Sequence, residues 1–261
     1  MLNLPRPTLI GMIHLPALPG SPAHMFPMEE IIERALADAH TLRDTGFNAL
    51  MIENFGDAPF PADQLSSASL AAMAVVADRV RTAVALPIGV NALRNDALAA
   101  LGIAVAVGAS FVRVNVHTGV TATDQGMLTG RADETLRYRK LLGASVAILA
   151  DVHVKHGRSI SEPDIASAAR DTAYRGLADG LVVTGSATGV GVDPQDLRRV
   201  RSAVPDRRIF VGSGATPSTI ASLLHSADGV IVGSGLKPES DPSRPIDAAL
   251  AAEFVRSARG G

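Results

Sequence analysis

No cysteine occurs in the 261 residues, which excludes disulfides, thiolate nucleophiles and cysteine-ligated zinc together. Also missing is a basic run of the kind that grips a phosphate backbone. The formal net charge is −2, so stable nucleic-acid binding is not expected. The most apolar helical stretch, 97–109, is too short to cross a bilayer, and no integral membrane segment is expected. The opening MLNLPRPTLIGMIHLP has no charged segment leading a long apolar one. It does not read as a signal peptide, and the expected location is cytoplasmic. Three familiar catalytic signatures are absent as well: the Gly-x-Ser-x-Gly elbow, the P-loop lysine motif and His-Glu-x-x-His.

What is present is core-forming material in a regular order. Hydrophobic residues make up 47% and charged residues 19%, enough for a substantial core. Strand-like runs fall at 9–14, 49–54, 87–93, 111–117, 146–155, 180–184, 208–212 and 229–233. Helical patterns lie between and after them, at 28–45, 67–83, 96–107, 131–142, 161–176, 194–203, 217–225 and 245–258. Gly46 and Gly108 read as C-terminal stops, Ser161 as an N-terminal cap, and Thr216-Pro217 as a cap followed by a first-turn proline. Eight strands alternating with eight helices, with no linker between them, predict an α/β fold: a single (β/α)8 TIM barrel spanning residues 1–261 as one domain. A doubly wound open sheet is the alternative.

Loop length then points to one end of the barrel. Helix-to-strand connections are short, whereas three strand-to-helix connections are long: LPALPGSPAHMFP, FGDAPFPADQLS and TGVTATDQGMLTG. Barrel enzymes build their sites from strand-to-helix loops, so these three are candidate lids or substrate-contact segments.

The same end collects polar side chains. In ILADVHVKH a strand would set Asp151, His153 and Lys155 on one face, with Val152 and Val154 on the other. In FVRVNVH, Arg113, Asn115 and His117 oppose three valines. His14 and Glu53 stand at the ends of the first two strands, and Asn91 near the end of the third. Valine faces suit the surrounding helices, so the polar faces should look inward. Many buried polar groups without a ligand or water would be costly, which makes the set a candidate active site rather than a core.

Asp151, His153 and Lys155, with Glu53 and His14, are the candidate catalytic residues. Asp151 and His153 suit acid–base work, and Lys155 suits either a fixed cation or a Schiff base. Asn91, Arg113, Asn115, His117, Asp124 and Thr184 are the candidate substrate-binding residues. No cofactor is implied, although Asp151, His153 and Glu53 together could take a divalent metal.

Glycine turns complete the pattern. VGSG occurs at 211–214 and again at 232–235, and the related TGSATG closes the sixth strand at 184–189. Glycines let backbone N–H groups approach an anion, and barrels of this class often bind phosphate after strands seven and eight. Gly185, Ser186, Gly212, Ser213, Gly214, Gly233, Ser234 and Gly235 are therefore the candidate phosphate-binding residues.

With these motifs assembled, the chain resembles the BtpA/SgcQ family. The resemblance rests on GMIHLPALPGSP (11–22), ENFGDAPF (53–60), GVNALRND (89–96), RVNVHTGVTATDQG (113–126) and ADVHVKH (150–156). It implies a ribulose-phosphate-binding type of barrel, and it carries over no catalytic assignment. Two functions follow as expectations. One is an enzyme acting on a small phosphorylated sugar or sugar-like metabolite, as an isomerase, an aldolase or lyase, or a glycosidic-bond-cleaving enzyme. The other, suggested by the BtpA branch, is a non-catalytic assembly or stability factor of photosystem I type. The expected partner is a small phosphorylated molecule, and a homo-oligomer is left open.

Overall fold

The computed structural model describes residues 4–185 and 191–260. Eight parallel strands close a barrel: β1 (Thr8–His14), β2 (Ala49–Glu53), β3 (Ile88–Asn91), β4 (Phe111–Val114), β7 (Ala147–Val152), β9 (Gly180–Val183), β10 (Arg208–Val211) and β11 (Gly229–Val232). All eight predicted strands are there, each beside its neighbour in sequence, with β11 closing onto β1. The open-sheet alternative is thereby excluded.

Each strand is buried on both faces, as expected of a parallel sheet wrapped in helices. One set of alternate residues, including Ile10, Met12, Met51, Phe111, Leu149, Phe210 and Ile231, packs inside the barrel. The other, including Leu9, Ile13, Ile52, Val112, Val114 and Val211, packs outward under the helices. Glycine makes room where the interior narrows. A Cβ on Gly89 would stand 2.1 Å from the Phe111 ring, so the bulky ring fills the space that glycine leaves. Arg208 holds the opposite end of the barrel shut, its guanidinium donating to the carbonyls of Leu4 and Pro5 and to Thr8 Oγ1.

The long helices follow the expected boundaries: α1 (Met28–Thr45), α2 (Ser67–Ala83), α3 (Ala97–Val107), α4 (Ala132–Leu141), α6 (Pro194–Ala203) and α8 (Ala248–Arg259). Gly46 and Gly108 end α1 and α3 in the left-handed region, at φ 99° and 71°. Two other helices depart from expectation. Ser161 caps nothing: α5 runs only over Ile165–Arg170, opens on Asp164, and passes into a π-helical turn at Asp171–Arg175. The helix expected from Pro217 is reduced to α7 (Ile220–Leu223), and the hydroxyl of Thr219, not Thr216, receives the nearby backbone N–H. Short polar side chains there bond locally to the backbone and compete with helix formation.

The largest departure lies above the mouth. TGVTATDQGMLTG is not a structureless loop but a hairpin, β5 (Val120–Thr123) and β6 (Gly126–Thr129), turning at Gly126 with φ 96°. β8 (Gly157–Ser159) joins it to make a three-stranded antiparallel cap. Val116, Leu128 and Val154 form a small core of its own beneath this cap. The other two long loops are lashed together, since Gly56 N–H donates to Leu15 O and Leu18 N–H donates to Asp57 Oδ1 at 2.7 Å. No helix among the described residues is long and apolar enough to cross a membrane.

Candidate functional site

The inward faces of adjacent strands put polar groups at one level. His14 is in register with Glu53, Glu53 with Asn91, and Asn91 with Arg113. Four neighbouring strands thus contribute a continuous polar row directly above the apolar barrel core. Asp151 stands two residues beyond the register partner of Arg113 on β7, because barrel strands are staggered.

Arg113 and Asp151 are fully buried and paired. Arg113 Nε donates to Oδ1 at 2.8 Å and Nη2 to Oδ2 at 2.9 Å, while Asn115 Nδ2 donates to Oδ2 at 2.9 Å. The carboxylate holds the guanidinium above its usual range even against burial. His14 Nε2 lies 3.8 Å from Glu53 Oε1, and Asn91 Nδ2 donates to Glu53 Oε2. Burial, reinforced by the charges of Lys237, Lys155 and Arg113, holds the His14 imidazole well below its ordinary pKa, so the ring is neutral near pH 7. His14 Nδ1 and Asn91 Oδ1 are buried with no protein partner.

Lys155 arrives from a different direction than expected. The strand ends at Val152, and His153 and His156 both adopt positive φ, 55° and 56°. The alternation that would align Asp151, His153 and Lys155 on one face therefore stops after Asp151. His153 turns away and donates from Nε2 to the carbonyl of Glu162 at 2.8 Å. Lys155 instead folds back over the mouth, with its backbone carbonyl held by Arg94 Nη2 at 2.7 Å. Burial lowers its pKa, Glu53 and Asp151 work against that, and Arg113 and Arg94 add to it.

These groups line one cavity of about 90 Å³. His14, Glu53, Arg113 and Lys155 form one side, and Gly212, Ser213, Gly214, Gly233, Ser234 and Gly235 the other. Both VGSG turns thus open onto the same space as the polar row. Among the described residues no hydrogen bond occupies the backbone N–H of Gly214, Ser234 or Gly235. Gly214 needs its φ of +71°, and a Cβ on Gly233 would meet His14 Cε1 at 2.5 Å.

Other candidates lie elsewhere. His117 stands beyond the end of β4 and donates from Nε2 to Gly176 O at 2.8 Å, against the end of the π turn. Asp124 is exposed at the tip of the cap hairpin, bonded to Gln125. Thr184 donates to His153 O at 3.3 Å, and Gly185 is buried beside it. Ser186 and the rest of its turn lie outside the described residues. Asp151, His153 and Glu53 are not gathered, and no group of three or more metal-ligating side chains occurs among the described residues. Arg94 was not among the sequence candidates, although it sits in GVNALRND. Its side chain is buried, its Nε has no partner, and its hold on Lys155 depends on a fold of the chain that no spacing reveals.

A family model described as the BtpA family matches residues 6–260. The photosystem I biogenesis protein BtpA of Synechocystis sp. is 44% identical over 253 residues, covering 97% of this chain and 88% of that one. Among solved structures, the (S)-3-O-geranylgeranylglyceryl phosphate synthase of Thermoplasma acidophilum, in complex with sn-glycerol-1-phosphate, superposes with a TM-score of 0.62 at 15% identity. The match covers 97% of this chain and 94% of that one. The N-(5'-phosphoribosyl)anthranilate isomerase of Pyrococcus furiosus superposes with a TM-score of 0.58 at 14% identity, covering 97% and 100%. At such identities the likeness concerns the barrel alone.

Proposed function

This chain belongs to the BtpA family, and from that premise and the shape of its cavity we propose that it is an enzyme acting on a small phosphorylated, sugar-like metabolite. The observation that carries the reading is the meeting of both VGSG turns with Glu53, His14, Arg113 and Lys155 around one cavity. The N–H groups of Gly214, Ser234 and Gly235 hold the phosphate in this reading, as backbone amides do in many anion sites. Solved barrels of the same fold, described as acting on or holding phosphorylated compounds, support it.

The chemistry at the other end is proton transfer beside a carbonyl. Glu53, aimed by Asn91, takes the proton, and Lys155 supplies charge or a proton to the oxygen that becomes anionic. Neutral His14 offers Nδ1 to a substrate hydroxyl. Asp151 takes no proton here: its oxygens already accept three hydrogen bonds, and its part is to fix Arg113.

Inorganic phosphate tests this reading. A ligand of the native state alone should raise the melting temperature saturably, adding about 2.7 kcal/mol of stability at a hundredfold excess over Kd. A Cβ on Gly235 has ordinary space, 3.4 Å from its nearest neighbour. Gly235→Asp should therefore fold, set a carboxylate against the anion and abolish the rise, while Gly235→Ala keeps most of it. No rise with phosphate or any sugar phosphate would overturn the assignment. The BtpA relative's name favours a second reading, an assembly factor that retains the barrel as a scaffold. On that reading Glu53→Gln and Lys155→Ala would leave the cellular role intact.

A further inference from the structure

A second cavity, of about 160 Å³, lies on the other side of Asp151 from the glycine turns, between the barrel, the cap and α5. Asp151 lines this cavity and Arg113 lines the main one, so their ion pair stands between the two. We propose that this second chamber is a binding subsite for the hydroxyl groups of a neutral polyol or sugar. The reading of the main cavity plays no part in the argument.

Asn115 forms its floor. A carboxylate such as Asp151 only accepts, so the Asn115 amide must turn its nitrogen toward Asp151 and its oxygen away. Oδ1 is therefore a buried acceptor with no protein partner, on a residue only 3% exposed. Leaving such an atom unmade is costly, and a hydrogen-bond donor from a ligand would satisfy it. The wall repeats the pattern. Thr172 donates its hydroxyl hydrogen to Ala168 O at 2.8 Å, so across the 2.9 Å contact Thr118 must be the donor. The lone pairs of Thr118 Oγ1 remain for a ligand. At the rim Ser161 Oγ accepts from Val120 N–H, and its own hydrogen remains to be given.

Charge narrows the class further. No lysine or arginine side chain lines this chamber, in contrast to the main cavity, so an anion has nothing to pair with. An ammonium fares no better. Asp151 already faces Arg113 and Asn115, Glu162 Oε1 already receives Asp164 N–H, and Asp171 stands 3.7 Å from Arg175. Acceptors beside hydroxyl donors, with no cation on the wall and each carboxylate already engaged by a cation or a backbone N–H, describe a partner that is neutral and both donates and accepts. Hydroxyl groups do this. The π-helical turn that brings Asp171 and Thr172 to the wall, closed by Gly176 N–H on Asp171 O at 2.7 Å, is a distortion often found where helices border ligands.

The absence of cysteine gives a direct assay. Ser159→Cys introduces a single thiol in the chamber wall, at a hydroxyl that is given to Glu162 O rather than to the ligand, and its alkylation by iodoacetamide is followed relative to free glutathione in the same solution. Glycerol, erythritol or D-ribose should protect it saturably. Thr118→Val, which keeps the shape and removes the hydroxyl, should weaken that protection about tenfold, and Asn115→Leu at least as much. Ethanolamine and inorganic phosphate should not protect. Absence of protection by every polyol up to about 1 M would overturn the proposal, since a site that empty has no binding energy to offer. Equal protection by ethanolamine or phosphate, or protection unchanged by Thr118→Val, would overturn it too. None of these results bears on the phosphate-induced rise in melting temperature, so the two readings stand or fall separately.

Discussion

Replacing Asp151 by Asn removes one charge of a pair with side-chain exposures of 1% for Arg113 and 0% for Asp151. Two guanidinium hydrogen bonds lose their charged acceptor, and the Asn115 amide loses its own. Breaking a buried pair from one side costs about 3–5 kcal/mol, because the remaining charge cannot return to water. Glu53 still contributes a favourable field at Arg113, which pulls the expectation toward the lower end of that range. Unfolding entropy of ~2.1 cal/mol/K per residue means that ~1 kcal/mol corresponds to ~2 °C in a chain of this length. Asp151→Asn should therefore melt roughly 6–8 °C below the parent by calorimetry, with a matching fall in the urea midpoint. Removing both charges, as Arg113→Met with Asp151→Leu, should recover much of the loss, since a buried pair and an apolar pair of similar volume are often near balance. If Asp151→Asn stays within about 1 kcal/mol of the parent, or the double variant loses the full sum of the two singles, the account of this pair is wrong.

Two further expectations concern acidity and the cap. The folded pKa of His14 is depressed, so below about 6.5 the unfolded chain binds a proton that the folded one refuses, and stability should fall as pH drops from there toward the folded value. His14→Gln should flatten that part of the stability–pH curve, and an unchanged slope would refute the burial argument; His117, lowered for the same first cause, accounts for some of what remains. The second expectation is that the cap closes over ligand: amide exchange in residues 120–129 and 157–159 should slow when a tightly bound sugar phosphate saturates the main cavity, and unchanged exchange at saturation would mean that the cap is static.

Much of the fold was legible because periodicity survives burial. The alternation in FVRVNVH and the glycines after α1 and α3 are local signals, and the structure keeps them. The polar row was legible for the same reason, since His14, Glu53, Asn91 and Arg113 all obey the strand period. Failure begins where the period is broken by a non-local partner. VHVKH continues the strand pattern on paper, yet Val154 is drawn into the small core under the cap with Val116 and Leu128. His153 leaves the strand line there, at φ 55°. The cap itself was hidden because its third strand, GRS, is only three residues long and pairs with a segment some thirty-five positions earlier. Arg94 and the π turn share that difficulty: each is defined by what it meets in space.

Lys155 and β8 are separated by a single residue, His156, so the amine that enters the main cavity and the outer strand of the cap belong to one short run of chain. An insertion or deletion in the cap therefore cannot be treated as a change of cover. Anyone shortening it to open the barrel, or exchanging it for the loop of another barrel, would move an amine that lines the main cavity in the same stroke. Loop grafting, which works in many barrels because each loop is an independent module, would have to carry residues 153–159 with any exchange of 118–130. In this protein the interchangeable unit is the pair.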